Sequence, residues 1–154
     1  MVKGKYDFIF CLLPVPATHG HHKAATMLAL ETVSILAADQ RPVILGVNTS
    51  KKTDTTKTEF TRLKDYTITE LNKDVKPFIL DRTVKFGYAN ALDYKIIVNW
   101  EIAEHKSQGT VQAMMNEGDY ENFWFFKLND ASGIEKCKTL FEKLKRIPYP
   151  SQSH

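Results

Sequence analysis

Three of the five histidines in the chain fall within four positions, His19, His21 and His22, in the run THGHHKAATMLAL at 18–30. Imidazole can move protons near neutral pH and is the commonest metal ligand. His19 and His22 are three apart, the separation that brings two side chains to one side of a helix's first turn. The partial positive charge at a helix N-terminus favours neutral imidazole over imidazolium, and a metal ligand has to be neutral. The same placement suits a histidine that acts as general acid or base. A bare H-x-x-H is equally compatible with a solvated helix start that binds nothing, because two ligands do not make a metal site.

The flanking elements decide where these histidines stand. Residues 6–13, YDFIFCLL, are apolar and β-prone apart from Asp7, which predicts a strand buried on both faces of a parallel sheet. Pro14 and Pro16 end it. Residues 21–38 are good helix formers, with Ala24, Met27, Leu28, Glu31 and Ile35 at helical spacing and mostly small or apolar residues elsewhere. That pattern predicts a well-covered helix. RPVILGV then predicts a second strand at 42–47. Strand, helix and strand together predict a parallel βαβ crossover. Ligands of such sheets bind at the carboxyl ends of the strands, where the histidine loop would open.

Downstream, residues 48–77 are rich in Thr, Lys and Asp without sustained periodicity, which predicts a variable loop region with a short strand near YTIT (66–69). FILDRTV (78–84) predicts a strand and FGYANAL (86–92) a turn. Asn90 is placed to cap a helix from about 92 to 107, with Tyr94, Ile97, Val98 and Ile102 on its buried side. VQAMMNEG (111–118) predicts a short helix closed by Gly118, and YENFWFFKL (120–128) a strand. Ser132 and Glu135 have capping-box spacing. They open a helix with Ile134, Cys137, Leu140, Phe141 and Leu144 on one stripe, stopped by IPYP.

The whole chain, 154 residues, accommodates one domain with a true core. No apolar run approaches the ~20 residues needed to cross a bilayer, and no small-residue cleavage site follows MVKGKYDFIF. Cys11 and Cys137 make no disulfide framework, so they read as small core residues in a reducing, cytoplasmic setting. A formal charge of +3 is too weak to point to nucleic acid. The most basic stretch, SKKTDTTKTEFTRLK (50–64), holds five cationic and two acidic side chains with Phe60 its only aromatic. It therefore offers no base-stacking platform and reads as a solvated loop.

The run YDFIFCLLPVPATHGHHKAATMLALETV resembles the second signature of the PIG-L/LmbE-like de-N-acetylases, in which a buried strand and a loop lead to H-P-D-H or a close variant opening a helix. EIAEHKSQGT (101–110) resembles the later H-x-S-Q motif of that family. The resemblance covers most of residues 5–110. It implies a Rossmann-like α/β fold, of which this chain would be a three-layer sandwich portion with a βαβ unit. It also implies a zinc-dependent hydrolase that removes the acetyl group from N-acetylglucosamine-type amides. Position by position, His22 matches the zinc ligand and His19 the histidine that acts on the tetrahedral intermediate and leaving amine. His105 matches the later histidine, which lines the site or touches substrate.

Two departures matter. Where the family carries aspartate before the second histidine this chain has His21, which removes a carboxylate that could orient its neighbour. The first family signature, A-H-P-D-D or A-H-P-D-E, supplies two further zinc ligands and the carboxylate that activates water. No His-x-x-Asp occurs in these 154 residues. The resemblance is thus to a C-terminal half, which implies a partner: a separate N-terminal half or a second copy covering the strand edge at 6–13. The alternatives are a catalytically incomplete relative acting as a binding or structural protein, and an unrelated small α/β protein with a chance H-x-x-H.

Overall fold

The structure, a computed structural model, describes residues 4–54, 58–107 and 116–145. Four strands form one mixed sheet: β1 (Phe8–Leu12), β2 (Val43–Ser50), β3 (Phe78–Asp81) and β4 (Tyr120–Phe125). Helix α1 (Gly20–Ser34) links β1 to β2, α2 (Tyr94–Glu104) lies between β3 and β4, and α3 (Ser132–Lys145) follows β4. The strand order is β1-β2-β4-β3. β1 and β2 are parallel, from Phe8 opposite Val43 to Leu12 opposite Val47, as the strand–helix–strand pattern predicts. β4 enters between β2 and β3 and runs antiparallel to each. No helix among the described residues is long and apolar enough to cross a membrane.

Strand periodicity divides the core in two. On one face Ile9, Cys11, Ile44, Trp124 and Phe126 pack with Leu30 and Val33 of α1 and with Leu71. On the other, Val43, Leu45, Phe123 and Phe125 pack with Cys137 and Phe141 of α3, and Ile134, Leu140 and Leu144 complete the predicted stripe. Both cysteines are free thiols; burial pushes Cys137 up to about 11. Gly46 permits a close approach inside the core. A Cβ there would stand 2.7 Å from Leu13 Cδ1 and 2.9 Å from the Phe126 ring. Beyond the end of the β2–β4 ladder, the Asn129 amide takes the place of a strand. Its Oδ1 accepts from the Ile44 N–H and its Nδ2 donates to the Ile44 carbonyl, each at 2.8 Å.

Several expectations change. α1 stops at Ser34 rather than 38 because the Arg41 guanidinium takes the Leu36 and Ser34 carbonyls at 2.9 and 2.7 Å, satisfying orphan acceptors of the last turn. Nor is α1 well covered. Its buried residues are Thr26, Leu30 and Val33, while Leu28 and Ile35 are 62% and 83% exposed. β2 runs to Ser50, three residues into the expected loop region. YTIT is no strand: Thr67–Thr69 form a single 3-10 turn. There the Thr69 hydroxyl donates to the Tyr66 carbonyl and accepts from the Leu63 N–H, local bonding that competes with a ladder. Asn90 does not cap α2, because it sits at φ +54 after Ala89 at φ +52. Asp93 caps instead, accepting from the Ile96 N–H at 2.9 Å, and no residue of α2 is fully buried. At α3, Ser132 is the first helical residue; Asp130 accepts its N–H at 2.8 Å, and Glu135 pairs with Lys138. The helix expected at 111–118 lies almost wholly outside the described residues.

The two edges of the sheet are β1 and β3. Beside β1 the face opposite α1 is thinly covered. Phe10 is 50% and Leu12 47% exposed, although Phe10 still meets Phe123 edge-on at 5.3 Å.

Candidate functional site

The loop from β1 to α1 is held by its own short hydrogen bonds. Leu13 N–H continues the ladder to the Val47 carbonyl at 2.8 Å. The Leu13 carbonyl then accepts from Val15 N–H and from the Thr18 hydroxyl at 2.8 and 2.7 Å. Thr18 N–H closes a turn on the Val15 carbonyl with Pro16 in its second position, where a fixed φ suits the bend. The Lys23 ammonium donates to the Pro16 carbonyl at 2.7 Å, and the buried Thr26 hydroxyl donates to the Leu12 carbonyl at 2.8 Å. The end of β1 and the first two turns of α1 are therefore tied at several points, and the mouth of α1 is built rather than merely spliced.

His19 is the N-cap of α1, and its Nδ1 accepts from the His21 N–H over a long 3.4 Å. An accepting Nδ1 carries no proton, so in neutral imidazole the proton stands on Nε2. The His19 ring lies 4.9 Å from that of His21 and 6.1 Å from that of His22, centroid to centroid. All three are exposed, at the carboxyl end of β1. Gly20 between them faces open space, since a Cβ there would meet nothing within 4 Å.

His105 is placed differently. It is the C-cap of α2, its N–H reaching the Glu101 and Ile102 carbonyls. Its Nε2 lies 3.8 Å from the Glu101 carboxylate one turn back. The structure thus gathers His19, His21 and His22, and gives His105 a partner on its own helix.

Two imidazoles on one helix mouth can turn toward one ion at Zn–N distances of ~2.0–2.1 Å, but a catalytic zinc usually takes three protein ligands. Among the described residues no group of three His, Cys, Asp or Glu side chains is gathered that could hold a metal ion. What the mouth of α1 presents is a set of exposed imidazole nitrogens.

No family model, no curated protein and no solved structure matches this chain.

Polar groups that pattern reading had not singled out converge farther along the same end of the sheet. Asn48 accepts from Trp124 Nε1 at 2.7 Å, and Ser50 accepts from Asn122 Nδ2 at 3.0 Å. Toward β3, Lys52 pairs with Asp81 at 3.1 Å and Lys95 with Asp119 at 3.3 Å. The Lys52 N–H and the Lys95 ammonium hold the Asp119 carboxyl below the usual carboxylate range. Burial pushes Glu121 up against the opposing pull of Arg82, whose Nε is 3.7 Å away. These residues were illegible beforehand because they lie in four separate segments that only the strand order brings together.

Proposed function

We propose that this chain carries the acid and metal-ligand histidines of a zinc-dependent amide hydrolase acting on an N-acetylated, amidosugar-like substrate, and that its metal centre is completed by another polypeptide segment. The observation that carries the reading is the helix mouth itself. His19 and His22 stand exposed on the first turn after a parallel β-strand, with the His19 Nδ1 turned inward as the cap. His22 is the residue that would hold the metal. Zinc, when bound, supplies a water activated near neutral pH and polarises the amide carbonyl. His19, with Nδ1 accepting the cap bond, offers its Nε2–H as the donor that stabilises developing negative charge; to protonate the departing amine it first takes a second proton on Nδ1, becoming imidazolium and releasing the cap bond. The loop bonds from Leu13 to Thr26 keep that donor in register with His22.

The remaining ligands come from outside these residues in this reading, and the surface beside β1 supports such a partner. An edge strand with exposed Phe10 and Leu12 is the kind of surface that another strand or helix covers. The same surface favours a second reading, an interaction module that keeps the fold without hydrolysis. One experiment separates them. The chain, alone and mixed with a segment carrying the A-H-P-D-D signature, is assayed for bound zinc and for acetate release from N-acetylglucosamine. The hydrolase reading expects release only from the mixture, with zinc present. Tight association without zinc or acetate release would leave the interaction module standing instead.

A further inference from the structure

A cavity of about 1080 Å³ lies between β3, the segment that carries Phe86, and the C-terminal half of α3. The strand order puts it at the opposite edge of the sheet from the histidine mouth, so its occupant is independent of the hydrolase reading. Its volume matches the upper end of the roughly 300–1,000 Å³ range of small-molecule sites. The walls are aromatic: Phe78 stacks on Phe141 at 5.3 Å, and Phe86 meets Tyr94 at 4.9 Å. Phe141 is buried, but Phe78, Phe86 and Tyr94 are only partly so, and Val84 is 53% exposed. A ligand of matching shape would remove that apolar surface from water.

The rim decides the charge of that ligand. Its lysines already hold carboxylates: Lys52 with Asp81, Lys85 with Asp93, Lys138 with Glu135 and Lys145 with Glu142, at 3.1, 2.6, 2.6 and 3.0 Å. An incoming anion would compete with a carboxylate at each lysine and lose hydration in doing so. A cation meets the same obstacle at Asp81 and Glu142, whose charges are already matched. A neutral molecule meets neither. The lining also holds the Tyr94 and Tyr120 phenols, groups that can donate or accept a hydrogen bond; burial pushes Tyr94 up, away from ionisation. We propose that this cleft binds a neutral, planar aromatic small molecule, its rings against Phe78 and Phe86 and a polar substituent directed to the tyrosine hydroxyls.

The test titrates the full chain with two fluorescent probes that share one ring system. N-phenyl-1-naphthylamine is neutral, and 1-anilinonaphthalene-8-sulfonate adds a fixed negative charge. The neutral probe should bind saturably at one site, about tenfold or more tighter than the sulfonate. Val84→Arg, at an exposed position lining the cleft, should weaken it by a similar factor with the urea midpoint unchanged. Ile35→Arg, at an exposed apolar position just past α1, should leave binding as it is. Nuclear Overhauser contacts from the probe to the Phe78 and Phe86 rings are expected in the unmodified chain, and they decide the matter alone if Val84→Arg fails to fold. Absence of saturable binding or of those contacts overturns the site. So does a sulfonate that binds as tightly, or an Ile35→Arg protein that loses the probe as Val84→Arg does.

Discussion

The two edges of this sheet treat their polar side chains in opposite ways. Beside β3, each of Lys52, Lys85 and Lys95 holds a carboxylate within 3.3 Å. Beside β1, His19, His21 and His22 stand exposed, and among the described residues the one side-chain hydrogen bond within the cluster is the capping contact that orients His19. Charges that hold one another serve to order loops. Imidazoles left facing water, on a loop fastened from beneath, are available to a ligand. The difference teaches that side-chain saturation and concavity part company in this molecule: the β3 edge has the large cavity and the paired charges, and the proposed chemistry stands at the less saturated edge.

The contrast can be broken outright. In the assembled, zinc-loaded protein, His22→Ala should abolish amide hydrolysis and metal content together. His19→Ala should lower turnover by about 10²- to 10⁴-fold with zinc retained, as read by atomic absorption beside the assay. Lys52→Ala should leave both readouts unchanged; a loss as large as that of His22→Ala would erase the distinction between the edges.

Below that in size come changes that undermine the floor shared by both edges. Phe126 is fully buried against Gly46, and Phe126→Ala should lower stability by about 3–5 kcal/mol in urea unfolding. Asn129→Ala would orphan the N–H and carbonyl of buried Ile44, at a cost of about 1–3 kcal/mol. The same titration reads it, and an Asn129→Ala protein as stable as the parent would mean that water replaces the amide freely.

The smallest effect isolates one ion pair of the saturated edge. The Lys85 ammonium, and then the Ile96 N–H, hold the Asp93 carboxyl below the usual range. With the folded value below the unfolded one of about 3.9, the pair's contribution is complete above that pH and is lost as pH falls through the folded value. Asp93→Asn keeps a capping oxygen and removes the charge. The stability gap between the two proteins should therefore be widest near neutrality and close below about pH 4. It should not exceed about 1 kcal/mol, because Lys85 is 56% exposed and solvent screens the pair.

Local periodicity carried much of the fold into view. The run YDFIFCLL before Pro14, a helical run and RPVILGV do form a parallel β1-α1-β2 unit, and the stripe on α3 faces the core as spaced. What stayed hidden depends on contacts far along the chain. Nothing local says that β4 inserts between β2 and β3, which is why the Asn48–Trp124 and Ser50–Asn122 bonds could not be foreseen. Leu28 and Ile35 read as core because an apolar residue on a helix looks the same whether or not the chain supplies a neighbour to cover it. At the candidate site, the clustering of His19 and His22 at a helix mouth was legible. The capping role of His19 was not, since it depends on the backbone angles at one residue. His105 showed only its motif, and its approach to Glu101 needed the end of α2 to be located first.

The pairing of Asn129 with Ile44 has a consequence in time. It closes a separation of 85 residues, and the β2–β4 ladder beside it, from Leu45 with Phe125 to Ser50 with Tyr120, is nearly as long-range. The β1–β2 ladder joins much nearer neighbours, Phe8 with Val43. Contacts of low sequence separation close faster, so the N-terminal crossover, histidine mouth included, is expected to assemble before the central strand arrives. Until β4 docks, the inner edge of β2 is an open template. Pulse-labelled hydrogen exchange would record the order, with amides of residues 9–13 protected ahead of those in β4. The segment that finishes the sheet is thus also the one that ends its most aggregation-prone interval.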